Sequence, residues 1–304
     1  MGAYVIILLA VFAFAGQFAF TKLYEGSVRQ TTVTATVMLV VTSGFGALLY
    51  LFIGGFSVSF SGISMLWATL FALIMIPYYI VGIKVLSLGS LAIYGMFMML
   101  GGMLVPFFYG VWFLKETISP FQIAGTALLT FFIVLEAFCQ LNAEGERKEN
   151  SKNNKALFII LCVVIFFVNG FTGVFAKAHQ ISTGAIDETS FTVISCALTA
   201  AFSLVMLCGQ LIGRKGKAYS ELKTVLKPQK LLIMALIGAA AYTGNFLHLI
   251  AANDVPASVQ FPLVSGGVIV LSAVVSAFVF KEKLTKNEWI SVGGAFLSTV
   301  LFAF

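Results

Sequence analysis

Charge is scarce in this chain. Only 10% of its 304 residues are Asp, Glu, Lys or Arg, while 60% are hydrophobic. A soluble domain is nearer a quarter charged. So few polar groups could not cover a water-facing surface, and lipid is therefore the expected solvent. Catalytic signatures are missing too. There is no His-Glu-x-x-His, no Gly-x-Ser-x-Gly and no acidic pair at membrane depth. A membrane-embedded enzyme has no constellation to work with, so the chain is read as a non-enzyme without a cofactor. ATP-driven transport lacks a P-loop or a soluble domain, and no ring of charge marks a pore.

Cysteine is sparse and unpatterned. Cys139, Cys162, Cys196 and Cys208 sit in apolar runs without metal-ligand spacing. Four buried thiols are expected, with no disulfide and no metal. The net charge of +6 does not signal nucleic acid, because the basic residues cluster in two loops without interleaved aromatics. The first apolar run, from Gly2, lacks a signal peptide's basic start and is read as a retained span.

What is present is a series of apolar runs. A membrane helix needs about 20 mostly apolar residues. Ten segments meet that length, at roughly 3–21, 32–53, 63–83, 88–113, 120–141, 156–176, 190–212, 231–252, 257–280 and 287–304. Most breaks are short, such as Gly54-Gly55 and Gly62. The thinnest is Ser87-Leu88-Gly89-Ser90, near Lys84. Two breaks are longer. Asn142 to Lys155 reads as a solvated linker. Arg214 to Lys230 carries six basic residues and reads as a solvated loop. Its alternative reading is contact with anionic headgroups, at about 1 kcal/mol per basic residue.

Lys115-Glu116-Thr117-Ile118-Ser119 returns 166 residues later as Lys281-Glu282-Lys283-Leu284-Thr285. Sliding 78–135 onto 244–301 at that offset needs no gap, and it sets Gly101 on Gly267. An offset of 155 sets Phe20-Thr21-Lys22 on Phe175-Ala176-Lys177, at the ends of spans one and six. The chain is therefore divided into a first five-helix repeat (1–141), a polar linker (142–155) and a second repeat (156–304). Five spans per repeat is an odd number, so the halves are inverted. The expected fold is an all-α integral membrane protein with ten transmembrane helices in two inverted five-helix repeats. Secondary transporters are built this way, with the solute site between the halves near mid-membrane.

The chain resembles the ten-helix drug/metabolite transporter superfamily, EamA type. The residues that carry the likeness are the turns Glu116–Ser119 and Glu282–Thr285, each leading into a glycine-containing span. After the first comes Gln122-Ile123-Ala124-Gly125. After the second come Glu288-Trp289-Ile290-Ser291 and Gly293-Gly294, with Ser291 where the family pattern usually has Gly. Val255-Pro256-Ala257-Ser258 at the start of span nine is similar to the family as well, as are the aromatic-to-lysine ends of spans one and six. The resemblance covers the whole chain. It implies a bundle that moves small organic solutes, often outward, with both termini cytoplasmic.

Charge bias gives the opposite orientation. Sixteen of the 18 lysines and arginines fall in odd-numbered loops, the exceptions being Lys115 and Lys177. The positive-inside rule then puts both termini outside the plasma (inner) membrane.

Polar groups at mid-span are costly and normally face a cavity or a partner helix. Span eight offers Tyr242, Asn245 and His248 on one broad face. Span nine offers Gln260, aligned with Tyr94 of span four. Tyr78 and Tyr79 flank Pro77 in span three. Gln17 and Asn169 occupy spans one and six. These nine are the candidate substrate-binding residues. The plainer reading of each is a helix–helix hydrogen bond contributing roughly 0.6 to 2 kcal/mol. His248 could carry a coupling proton, since histidine titrates near neutrality. Lys22 and Lys177 read as snorkelling anchors, or as cations at the cavity mouths. Pro77, Pro106 and Pro262 could kink their spans and free carbonyls towards a cavity. Gly101-Gly102 and Gly266-Gly267 permit close packing. The paired glutamates are expected to cap or start spans five and ten.

The function expected is secondary transport of a small organic solute by alternating access, with proton or ion coupling open. A non-transporting receptor or scaffold is the alternative. Gly293-Gly294 could pack a second subunit, giving a homodimer, or a neighbouring helix.

Overall fold

In a computed structural model, residues 2–28, 31–88, 91–145, 152–213, 215–281 and 286–302 are described. They form α-helices without strands. The first five helices are α1 (Gly2–Glu25), α2 (Thr32–Ile53), α3 (Gly62–Leu88), α4 (Leu91–Trp112) and α5 (Pro120–Gly145). Then follow α6 (Lys152–Ile181), α7 (Glu188–Gly213), α8 (Lys215–Val225), α9 (Pro228–Ala251), α10 (Ala257–Phe278) and α11 (Lys286–Leu301). Among the described residues, seven of these helices are long and apolar enough to cross a bilayer: α1, α2, α3, α6, α7, α9 and α10. Shorter apolar stretches lie in α4, α5 and α11, at Phe97–Trp112, Pro120–Leu135 and Trp289–Leu301. Large apolar side chains cover the outside, with Phe113 at 74% and Phe278 at 75% exposure. Such a surface suits lipid rather than water.

Two expectations about the loops are corrected. The basic stretch after α7 is not simply a loop. Lys215 to Val225 is helical, and Ala218 and Val225 pack with Tyr24, Val33 and Met234. Its apolar residues therefore recur at a helical spacing that the basic composition hid. The central linker is also shorter than expected. Helix α5 runs to Gly145 and α6 begins at Lys152. Residues 146–151 lie outside the described residues, as do Gly89 and Ser90 of the break after α3.

The helices pack in matched pairs. Helix α1 lies on α9, as α3 lies on α6. Helix α4 lies on α6, as α1 lies on α10. The α3–α7 contact is matched by α2–α9, and α4–α5 by α10–α11. The pairs α2–α7, α4–α10 and α5–α11 complete the bundle. Close approach depends on glycine where backbones nearly touch. At Gly101 of α4, a Cβ would run into the Phe166 carbonyl of α6. On α11, Gly294 faces the Phe132 ring of α5, while Gly293 has open space around it.

Two turns share one backbone path. The amides of Phe113 and Leu114 both donate to the Tyr109 carbonyl, at 3.0 and 3.3 Å. The amides of Val279 and Phe280, 166 positions on, both donate to the Val275 carbonyl, at 2.9 and 3.3 Å. Each turn then reverses through a lysine in the left-handed region, Lys115 at φ 57° and Lys281 at φ 55°. A non-glycine residue at positive φ is uncommon. Two at matched positions tie the sequence offset to local geometry. Residues Glu282 to Thr285 of the second turn lie outside the described residues.

Candidate functional site

The first turn does two capping jobs. Ser119 precedes α5, with Pro120 at the first helical position. The Ser119 amide donates to Gln122 Oε1 at 3.0 Å, and the Gln122 amide donates to Ser119 Oγ at 3.2 Å. This reciprocal pair satisfies two amides that the helix start would leave orphaned. Glu116 works elsewhere. Its Oε1 accepts the Ala257 amide and its Oε2 accepts the Ser258 amide, both at 2.9 Å. The expectation that Glu116 caps span five is therefore corrected, since it caps α10. Gly110 makes room, because a Cβ there would strike the carboxylate.

Lys177 serves the other pole of the same α9–α10 turn. It is 6% exposed. Its Nζ donates to the Ala252 carbonyl at 2.7 Å and the Val255 carbonyl at 3.2 Å. A cation thus meets the carbonyl end of α9, and an anion meets the amide end of α10, as their dipoles favour. Both earlier readings of Lys177, snorkelling anchor and cavity-mouth cation, give way to this turn-binding role. Lys22 instead reaches Ser276 Oγ at 3.3 Å and lies 4.9 Å from the Phe280 ring centroid, at the end of α10.

Further polar contacts gather at the same end of the bundle. Gln180 Nε2 donates to the Leu249 carbonyl at 2.9 Å and to Glu188 Oε1 at 3.2 Å. Asn253 Nδ2 also donates to Glu188 Oε1, at 2.7 Å. Asp187 Oδ1 accepts the Ser190 amide at 2.8 Å and caps α7. Burial pushes the Asp187 carboxyl upward, but hydrogen bonds from the Ser190 amide and hydroxyl, its own amide and the Ser59 hydroxyl together outweigh it and hold the group below its usual range. Histidine 179, not singled out from the sequence, is fully buried here. It stacks on Phe191 with centroids 3.7 Å apart, and its Nε2 lies 3.0 Å from Ser64 Oγ. It braces α6 against α3 and α7.

The bundle also holds a cavity of about 220 Å³. Its wall comes from α1 to α4 and from α6, α7, α9 and α10. Four of these helices precede the central break and four follow it. Seven of the nine candidate residues line it. Gln17 comes from α1, Tyr78 and Tyr79 from α3, and Asn169 from α6. Tyr242, Asn245 and His248 come together from α9.

The wall is partly self-satisfied. Tyr78 donates to Met98 Sδ at 2.7 Å, and its ring meets Tyr79 at 5.4 Å, tilted by 70°. Asn169 Nδ2 donates to the Met98 carbonyl at 2.7 Å, joining α6 to α4. Asn245 Nδ2 donates to the Ala241 carbonyl of its own helix at 2.8 Å. His248 makes T-shaped contacts with two phenyl rings, Phe261 and Phe14, at centroid distances of 4.6 and 6.3 Å.

The other two candidates are elsewhere. Gln260 is fully buried behind the wall, where its Nε2 donates to the His248 carbonyl. It positions the end of α9 and does not face the cavity. Tyr94 belongs to α4, and its side chain lies outside the described residues. One expectation about cysteine also fails, because Cys208 is exposed, whereas Cys162 and Cys196 are buried. The cavity wall includes hydroxyls that the sequence reading passed over, among them Thr192 and Ser195 of α7. They belong to a stripe of Thr192, Ser195, Thr199 and Ser203 at helical spacing, a signal that was available. Thr192, Thr199 and Ser203 each donate to the carbonyl four residues back, at 2.6 to 2.7 Å. Ser195 makes no such bond.

No protein-family model and no curated protein matches this chain. Twenty-eight chains of solved structures match it in fold. One, described only as "Crystal structure of protein", superposes with a TM-score of 0.68 at 14% identity, over 100% of this chain and 99% of that one. That likeness shows that the whole fold recurs, and it carries no function with it.

Proposed function

We propose that this chain is a secondary transporter that moves a small organic solute across a plasma (inner) membrane. It works by alternating access between two inverted five-helix repeats of the drug/metabolite transporter, EamA-like kind. The observation that carries this reading is the cavity walled by four corresponding helices from each half. Matched packing pairs and matched left-handed lysines support the duplication. Two near-equivalent halves can exchange conformations about a central site, which opens it first to one side and then to the other. The bonds of Lys177 and Glu116 tie the α9–α10 turn to the rest of the bundle, and alternating access would break and re-form links of this kind. Export is the direction that the family resemblance implies.

The test is uptake and counterflow in proteoliposomes against amino acids, sugars and cationic drugs, with and without a pH gradient. Accumulation of at least one solute, with exchange of labelled for unlabelled solute, is the expected result. Failure to move any solute would favour the receptor or scaffold alternative. A coupling proton would use His248 on the cavity wall, and pH-dependent transport surviving in His248→Ala would remove that role.

A further inference from the structure

Helix α8 is too short to cross a bilayer and too basic to lie within one. Its 11 residues span about 16 Å at about 1.5 Å each, against about 30 Å of hydrocarbon. Yet α7 ends at Gly213, just before it, and α9 begins at Pro228, just after it. Both neighbours are long and apolar enough to cross a bilayer. The short helix is therefore held at the depth where headgroups begin.

One face of α8 is fastened to the bundle. Ala218 and Val225 are buried, and Leu222 packs beside them. Between residues 214 and 230 the chain has six basic residues and a single acidic one, Glu221. That carboxylate accepts the Thr31 hydroxyl at 2.9 Å, which ties α8 to the start of α2. Lys230 is engaged as well, since its Nζ donates to the Ser27 carbonyl at 2.8 Å.

A second face is left outward. Tyr219 is 54% and Leu226 46% exposed, and Lys223 and Lys227 are exposed beside them. The Leu226 amide donates to the Leu222 carbonyl at 3.0 Å, so the helical path continues past Val225. Tyr219, Lys223 and the Leu226-Lys227 pair thus recur at three- to four-residue steps and form one stripe. Packing against the bundle accounts for the inward face and leaves this stripe unexplained. Its chemistry is that of an interfacial helix. Tyrosine suits headgroup depth, and lysine lays its stem on apolar surface while its ammonium stays at the polar level.

We propose that α8 and the turn after it are a docking surface for anionic lipid headgroups of the adjoining leaflet. Lys223 and Lys227 meet the lipid phosphates, and Tyr219 and Leu226 rest at the acyl boundary. This rests on α7 and α9 crossing the bilayer and is independent of the transporter reading.

Amide hydrogen exchange over residues 215–226 tests it, on the full chain in nanodiscs of phosphatidylcholine alone or with roughly a third phosphatidylglycerol. A basic residue near an anionic surface is worth about fivefold in affinity, the equivalent of about 1 kcal/mol. Lipid bound to the ordered helix opposes its opening, so exchange in the wild type should slow about tenfold with phosphatidylglycerol present. Near 1 M salt, where the Debye length is about 3 Å, the slowing should disappear. In the double variant Lys223→Gln, Lys227→Gln the two disc types should differ by about twofold or less. Tyr219→Ser keeps every charge and should lose part of the slowing. The proposal is overturned if phosphatidylglycerol leaves exchange unchanged or if the double variant keeps the wild-type slowing. It is also overturned if soluble glycerol phosphate, added to phosphatidylcholine discs, slows exchange as much as phosphatidylglycerol does, since the site would then serve a free phosphate.

Discussion

Glu116 shows how far one side chain can act from its own helix. It stands in the turn before α5, yet its carboxylate holds the first two amides of α10. Charge-assisted bonds of this kind contribute about 1.5–3 kcal/mol. Glu116→Ala is therefore expected to destabilise the protein by about 2 kcal/mol, lowering the thermal midpoint in nanodiscs, because it leaves both amides unpaired. Glu116→Gln should lose less, since an amide oxygen can still accept one bond. Equal midpoints for Glu116→Ala and wild type would remove the cap from the account. A motif search could find this glutamate, but only the packed turn shows which helix it serves.

At the scale of elements, glycine sets how closely α4 and α6 approach. Gly101→Ala would place a methyl group against the Phe166 carbonyl, a backbone atom that cannot swing aside. Overpacking of this kind costs about 1–3 kcal/mol. A fall in the thermal midpoint is expected, and Asn169, bridging the same two helices through Met98, should shift with it. By contrast, Gly293→Ala on α11 meets open space and should be close to neutral. The sequence set Gly101 on Gly267 at an offset of 166 and showed Gly293 beside Gly294. It did not distinguish Gly294, packed on Phe132, from Gly293, which touches nothing.

For the whole molecule, orientation is the open physical question that charge can answer. Sixteen of 18 basic residues fall in odd-numbered loops, which predicts both termini outside. Lys177, one of the two exceptions, is buried against the α9–α10 turn and is not a loop charge. Its removal from the count strengthens the bias. A reporter active only in the cytoplasm, fused to the C-terminus, is expected to stay silent. Activity would reverse the orientation and bring it into line with the family resemblance. The proposed exchange between halves works either way up, so that result leaves the proposal untouched.

Hydropathy alone marked the ten apolar runs, because lipid demands long uninterrupted apolar helices. Spacing alone marked the turn at Lys115 and its echo at Lys281, because the two stretches read alike 166 positions apart. The helical face of Tyr242, Asn245 and His248 was likewise legible from three-residue steps. The tertiary structure decided the rest. It decided that Gln260 braces the His248 carbonyl from behind the wall while Gln17 and Asn169, no more polar, stand on the cavity. It sent Lys177 to backbone carbonyls and left Ser195, alone in its stripe, with a hydroxyl unspent. The physical reason is common to all of these. Periodicity fixes the face of a helix on which a residue lies, but only the neighbouring helices determine whether that face meets lipid, a partner or a cavity.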